Sequence, residues 1–194
     1  MSARRIKAVV IVCGLAFSAA VLIAWTQEWF RVTLTESAEH TIAVGGDNAA
    51  PAVLALSLSG VALVAALSLA GPFFRRVLGV LETLIGISVV LAAARALTDP
   101  IAASAELITA STGVSGAESI RHLVTDAAQT PWPWVALVFG VLLACLGVAL
   151  LALGRRWPVS STRFQSTPDE PDGAAPTAAS DWDSLTGGAD PTSR

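Results

Sequence analysis

Four stretches of the chain, Ile6 to Trp25, Ala52 to Ala70, Val77 to Leu97 and Trp132 to Leu153, are nearly unbroken runs of Ala, Leu, Val, Ile and Gly. Each has about the 20 residues that carry a helix across the ~30 Å hydrocarbon core of a bilayer. The pattern predicts an all-α membrane protein, a four-transmembrane-helix bundle with both ends of the chain on one side. The intervals between the runs carry their own patterns. In WTQEWFRVTLTESAEHTIAVGGDNAAP, Phe30, Val32 and Leu34 alternate with Arg31, Thr33 and Thr35, and Ile42 and Val44 resume the rhythm. That period of two predicts a small extracytoplasmic β-hairpin leaning on the helix ends, since a lone hairpin is marginal in water.

The interval between the third and fourth runs reads as helical. Asp99 and Pro100 form an N-cap and first-turn pair, Ser115 and Glu118 have capping-box spacing, and Ile120, Leu123, Val124 and Ala127 recur at i, i+3, i+4 and i+7. An amphipathic outer helix is expected there, stopped by PWPW. Beyond the fourth run the composition turns to Pro, Ser, Thr, Ala and Asp, which cannot bury enough apolar surface to offset chain entropy. The organisation expected is a four-span membrane domain over 1–158 and a disordered cytoplasmic tail over 159–194.

Composition agrees with the pattern, because 54% of residues are hydrophobic and 14% charged, against roughly a quarter charged in soluble proteins. The net charge of −3 hides a separation. Arg4, Arg5 and Lys7 precede the first run, Arg75 and Arg76 lie between the second and third, and Arg155, Arg156 and Arg163 follow the fourth. The alternate intervals hold only Arg31 and Arg121, with Arg95 near the end of the third run. By the positive-inside rule both termini are cytoplasmic, in a multi-pass protein of the plasma membrane. A signal peptide competes for the first run, with AFS as its cleavage site, but the apolar stretch continues through VLIAW for a full membrane thickness and favours an uncleaved anchor. Trp25, Trp29, Phe30, Trp132, Trp134 and Trp157 sit where interfacial aromatics belong.

Little in the chain points to catalysis. Cys13 and Cys145 lie inside apolar runs with no ligand partners, and are expected as small buried hydrophobes. His40 and His122 are expected on the surface. No phosphate loop, nucleophile elbow or HExxH motif occurs, so no enzyme, cofactor or metal is expected. The basic residues are doublets beside spans rather than a patch with interleaved aromatics, so no nucleic acid is expected either.

One acid, Glu82, falls inside a run. An intramembrane carboxylate is costly and a functional hypothesis by default. Gly79, Glu82, Gly86 and Ala93 share a face, which turns Glu82 toward a neighbouring helix. A plainer reading is also open: a run beginning at Val77 puts Glu82 only about 8 Å from its cytoplasmic end, and Arg75 seven residues earlier on the same face allows a snorkelled, solvated pair. Gly140, Ala144, Gly147 and Gly154 repeat the small-residue spacing in the fourth run, so the third and fourth spans are expected to touch. Arg95 and Asp99 stand at i and i+4, the spacing of a helix-surface ion pair.

The tail ends in SDWDSLTGGADPTSR, where Trp182 and Leu185 stand alone among polar residues. About 25 residues of flexible chain give them a reach of roughly 25 to 30 Å. At i and i+3 they would share one face of a short helix formed on binding a cytoplasmic partner.

The basic N-terminus, a first span ending in Trp, the RR-containing turn, the PW entry to the fourth span and this tail together resemble the tryptophan-associated transmembrane family of actinobacteria. Its members tend to end in a W-D-x-L-x-x-G-x-D-P-T pattern, matched here at Trp182, Asp183, Leu185, Gly188, Asp190, Pro191 and Thr192. Gly187 and Ala189 stand where members commonly carry Arg and Glu. The resemblance implies a membrane protein encoded in or near the tryptophan biosynthesis operon, and brings no catalytic residues with it. The expected function is a non-enzymatic scaffold or accessory protein that presents its tail motif to a cytoplasmic protein, with homo-oligomers open to it. The alternatives are a small transporter or exporter of an aromatic metabolite using Glu82, or an outward-facing sensor.

Overall fold

In the computed structural model, the structure describes residues 3–35 and 41–153. His40, Gly154, Arg155, Arg156, Trp157, Arg163 and the whole tail motif lie outside the described residues. The elements run α1 (Ala3–Trp25), β1 (Glu28–Leu34), β2 (Thr41–Gly45), α2 (Gly46–Ala49), α3 (Ala52–Leu69), α4 (Pro72–Thr98), α5 (Pro100–Thr112), α6 (Ala117–Leu123), β3 (Val124–Gln129) and α7 (Trp132–Leu153). The helices α1, α3, α4 and α7 are long and apolar enough to cross a membrane. They form a closed ring in which α1 packs on α3, α3 on α4, α4 on α7 and α7 back on α1, every neighbour antiparallel.

The third span begins five residues earlier than its apolar run. Only Ala70 and Gly71 separate α3 from α4, and Pro72 opens α4 at the position where a missing N–H costs nothing. Arg75 and Arg76 therefore lie in α4 itself rather than in a connecting loop. Basic residues at a helix N-terminus oppose its macrodipole, but here they stand beside the C-terminus of α3. Arg75 Nη2 donates to Ala70 O at 3.4 Å, and Lys7 Nζ, from α1, donates to Ser68 O at 2.8 Å. Both cations thus meet the carbonyl end of α3, where a helix attracts positive charge.

The two polar intervals fold together into one cap over the opposite end of the bundle. The expected hairpin of β1 and β2 is present, but it is two-thirds of a three-stranded antiparallel sheet in the order β2-β1-β3. The amphipathic helix expected to run through Ala127 stops at Leu123, and Val124–Gln129 pairs with β1 instead. The apolar stripe survives the change: Ile120 is buried, and Leu123, Val124 and Ala127 pack on the same core. The capping box also fails, since Gly116 is the N-cap of α6 and no side chain caps it. Asp99 does cap α5, accepting from Ala102 N at 3.0 Å, and α5 ends at Gly113 with φ 72°, a left-handed turn that glycine takes without strain.

Trp29 and Phe30 are fully buried, so they are the centre of the cap core rather than interfacial anchors. Their rings meet edge to face at 6.4 Å, and Trp29 Nε1 donates to Ala24 O at 2.8 Å, tying β1 to the last turn of α1. Trp134, at the start of α7, is exposed as an interfacial anchor should be. Cys145 is exposed and Cys13 half-buried, and both are free, so neither is the buried hydrophobe expected of it. His122 is exposed, as expected.

Candidate functional site

The tightest contact in the bundle is the α4–α7 seam. A Cβ on Gly86 would fall on the backbone of Ala144 and lie 2.7 Å from Gly140 O, and one on Gly147 would fall on Thr83 and lie 2.8 Å from Gly79 O. Backbones this close require residues without side chains, which is why both helices repeat small residues at this spacing. Thr83 Oγ1 donates to Gly79 O at 2.8 Å, so even the seam's hydroxyl is satisfied within its own helix.

Glu82 sits one position along from that seam, turned inward. Because α4 starts at Pro72, Glu82 is ten residues from its start, about 15 Å along the axis. Its side chain is 0% exposed, and neither carboxylate oxygen has a hydrogen-bond partner among the described residues. The snorkelled, solvated pair with Arg75 is therefore not formed. Glu82 keeps the inward face its neighbours predicted, without the solvent contact a shorter span would have allowed.

A second polar group, not singled out by the sequence pattern, shares this condition. Ser18 of α1 is 0% exposed and its Oγ also has no partner among the described residues. Gly60 of α3 packs on it, with a Cβ there lying 2.7 Å from Ser18 Oγ and 4.0 Å from Ile85, the residue one turn beyond Glu82. Ser18, Gly60 and Glu82 thus fall in one zone of the bundle. On one side lie Val10, Leu67 and Leu150, with Leu78 and Leu146 against them; on the other lie Val21, Val53, Val89 and Leu143. The apolar interior is split into two clusters, and the unsatisfied oxygens lie between them. The only sequence signal for Ser18 was a hydroxyl inside an apolar run, which does not separate it from Ser57, whose Oγ donates to Leu54 O at 2.9 Å.

At the cap end, Asp99 and Arg121 form an ion pair at 2.7 Å. The backbone N–H of Ala102, and then the Arg121 guanidinium, hold the Asp99 carboxyl below the usual carboxylate range. Asp99 is therefore not the partner of Arg95 that the i, i+4 spacing proposed. Arg31 likewise holds the Glu28 carboxyl down through a hydrogen bond of 2.8 Å on the rim of the sheet. No cluster of three or more metal-ligating side chains occurs among the described residues.

A family model described as tryptophan-associated transmembrane protein matches residues 11–192, from the first span to within two residues of the last. The chain belongs to this family. The match covers most of the first span, the other three, the cap and Glu82, and it continues through the Trp182–Thr192 motif, well past the last described helix. No curated protein and no solved structure matches the chain. Within this family the chain has a mostly helical fold with four candidate spans and a small three-stranded sheet.

Proposed function

We propose that this protein is a non-enzymatic accessory of tryptophan biosynthesis in the plasma membrane, a scaffold whose bundle anchors the tail and whose tail motif docks a cytoplasmic protein. The observation that carries this reading is the extent of the family match, which takes in the tail through residue 192 instead of ending with the last apolar helix at Leu153. A polar tail that only solvated the chain would need no defined pattern. The basic residues flanking the terminal ends of the spans support cytoplasmic termini, and with them a docking role for Trp182 and Leu185 toward soluble proteins. The test is crosslinking in intact membranes followed by identification of the captured proteins. The full chain is expected to capture a cytoplasmic protein that a Trp182→Ala, Leu185→Ala variant loses; the same capture by both sinks the docking role.

Glu82, buried and without a hydrogen-bond partner among the described residues, favours a second reading, a small carrier of an aromatic metabolite in which this carboxyl binds a proton or the substrate. Flux of an aromatic amino acid into vesicles reconstituted with the full chain separates the two. If flux exists, is abolished by Glu82→Gln and survives truncation after Ser160, the protein is a carrier and the tail is accessory to it.

A further inference from the structure

We propose that the groove between α3 and α4 at the cap end is a binding site for one anionic glycerophospholipid drawn from the leaflet on that side, with Arg95 on its phosphate. Two clefts open there, of about 450 and 480 Å³, and they share Ala52, Ala92 and Arg95. They therefore form one continuous groove. Its walls are small or aliphatic, with Ala55 and Leu56 from α3 and Leu91 from α4, and Ser88 marks its deep end. Where α4 meets α7, glycines let the backbones close; along α3 no such seam faces it, and the alanines leave the space unfilled.

Charge decides what fits. Arg95 is exposed and has no acid partner among the described residues. Among the described residues the one carboxylate lining the groove, Asp99, is engaged by Arg121 at 2.7 Å and by Ala102 N at 3.0 Å. The groove thus holds one uncompensated positive charge above an apolar floor. Arg95 lies three residues before the end of α4, about 4.5 Å along the axis, and some 30 Å from Arg75 at the other end, which is the thickness of the hydrocarbon core. That depth is the headgroup boundary, where a guanidinium finds phosphate oxygens to bind in bidentate fashion. Asp99 follows Ser88 by eleven positions, so the groove runs about 16 Å, long enough for the upper part of an acyl chain. A headgroup of one net negative charge balances the site, and the membrane supplies it at high local concentration.

The test uses the full chain purified in mild detergent and titrated, by native mass spectrometry, with phosphatidylglycerol, phosphatidylcholine and soluble glycerol 3-phosphate. One phosphatidylglycerol is expected to stay bound at collision energies that strip other lipids, with about tenfold preference over phosphatidylcholine. Arg95→Gln is expected to lose that preference, Arg95→Lys to keep part of it, and Ala92→Phe, which fills the groove and leaves Arg95 in place, to lose the tightly held lipid. Arg5→Gln, an exposed charge at the other end of the bundle, is expected to change nothing. Wild-type retention by Arg95→Gln or by Ala92→Phe overturns the proposal, as does equal retention of phosphatidylcholine. Displacement of the lipid by glycerol 3-phosphate overturns it in favour of a soluble-anion site. Should Arg95→Gln not fold, Ala92→Phe and Arg95→Lys decide the matter alone.

Discussion

Arg121 reaches back 22 residues to Asp99, placing Nη2 2.7 Å from Oδ2, while the other oxygen of the same carboxylate caps α5 through Ala102 N. One side chain thereby starts α5 and pins α6 over the end of α4. Removing an N-cap costs about 1–2 kcal/mol, whereas an exposed ion pair contributes at most about 1 kcal/mol. Asp99→Ala is accordingly expected to destabilise the cap more than Asp99→Asn, which keeps an acceptor for the cap and loses only the charge. Unfolding followed through the fluorescence of buried Trp29 reads the ranking, and equal losses would mean that the capping bond contributes nothing.

The same carboxylate sets an acid limit on the cap. Asp99 and Glu28 are both held below their ordinary values, the first mainly by the Ala102 N–H and the second mainly by Arg31. A carboxyl depressed by folding contributes stability that is present above its unfolded value and lost as pH falls through its folded one. Cap stability from these groups should be flat from neutral pH to about 5 and decline below about 4. Both groups are partly exposed and screened by solvent, so the change is no more than about 1 kcal/mol. The stability gap between wild type and Asp99→Asn should narrow as pH falls below about 4; a gap that widens on acidification would contradict the sign.

The α4–α7 seam makes a sharper prediction. At Gly86 even a methyl group meets the backbone of Ala144, which cannot rotate away as a side chain can. Gly86→Ala should cost about 1–3 kcal/mol by overpacking, and Gly86→Leu should prevent the native bundle from forming. Gly71, in the α3–α4 turn, is the contrasting site: its φ is −69° and no described residue lies within 4 Å of a Cβ built there. Gly71→Ala should leave the thermal midpoint in detergent unchanged. Comparable losses at the two positions would remove the seam as the source of stability.

These sites also show how far the sequence could be read. Length and apolarity located four spans because a bilayer imposes one number on every spanning helix, and small-residue spacing found the α4–α7 seam because close backbones admit few side chains. The start of α4 was missed because hydropathy falls at Arg75 and Arg76, although a helix tolerates them beside the C-terminus of α3. In the cap, Val124–Gln129 was misread because its partner, β1, lies some ninety residues away in the chain, and pairing at that distance leaves no local signature. Trp29 was assigned to the interface for the same reason: only the sheet and its bond to Ala24 O show it to be core. The inward face of Glu82 was legible, but its depth and its zone shared with Ser18 depended on that misplaced helix start and on α1 packing across the ring.

Glu82 supplies the last prediction, because structure and function pull on it in opposite directions. A buried acid without a donor weakens a bundle, because a buried polar group left without a hydrogen bond costs about 1–3 kcal/mol, a cost that an apolar residue of similar volume does not carry. Glu82→Met should therefore melt at the same temperature as wild type or higher, in detergent and in reconstituted bilayers, and Ser18→Ala should do the same on a smaller scale. A bundle that had recruited Glu82 to hold itself together would respond with a lower melting temperature in Glu82→Met. If the variant is stable and yet fails to replace the wild-type protein in cells, the acid has been kept against the interest of the fold, and its role lies in what the bundle does.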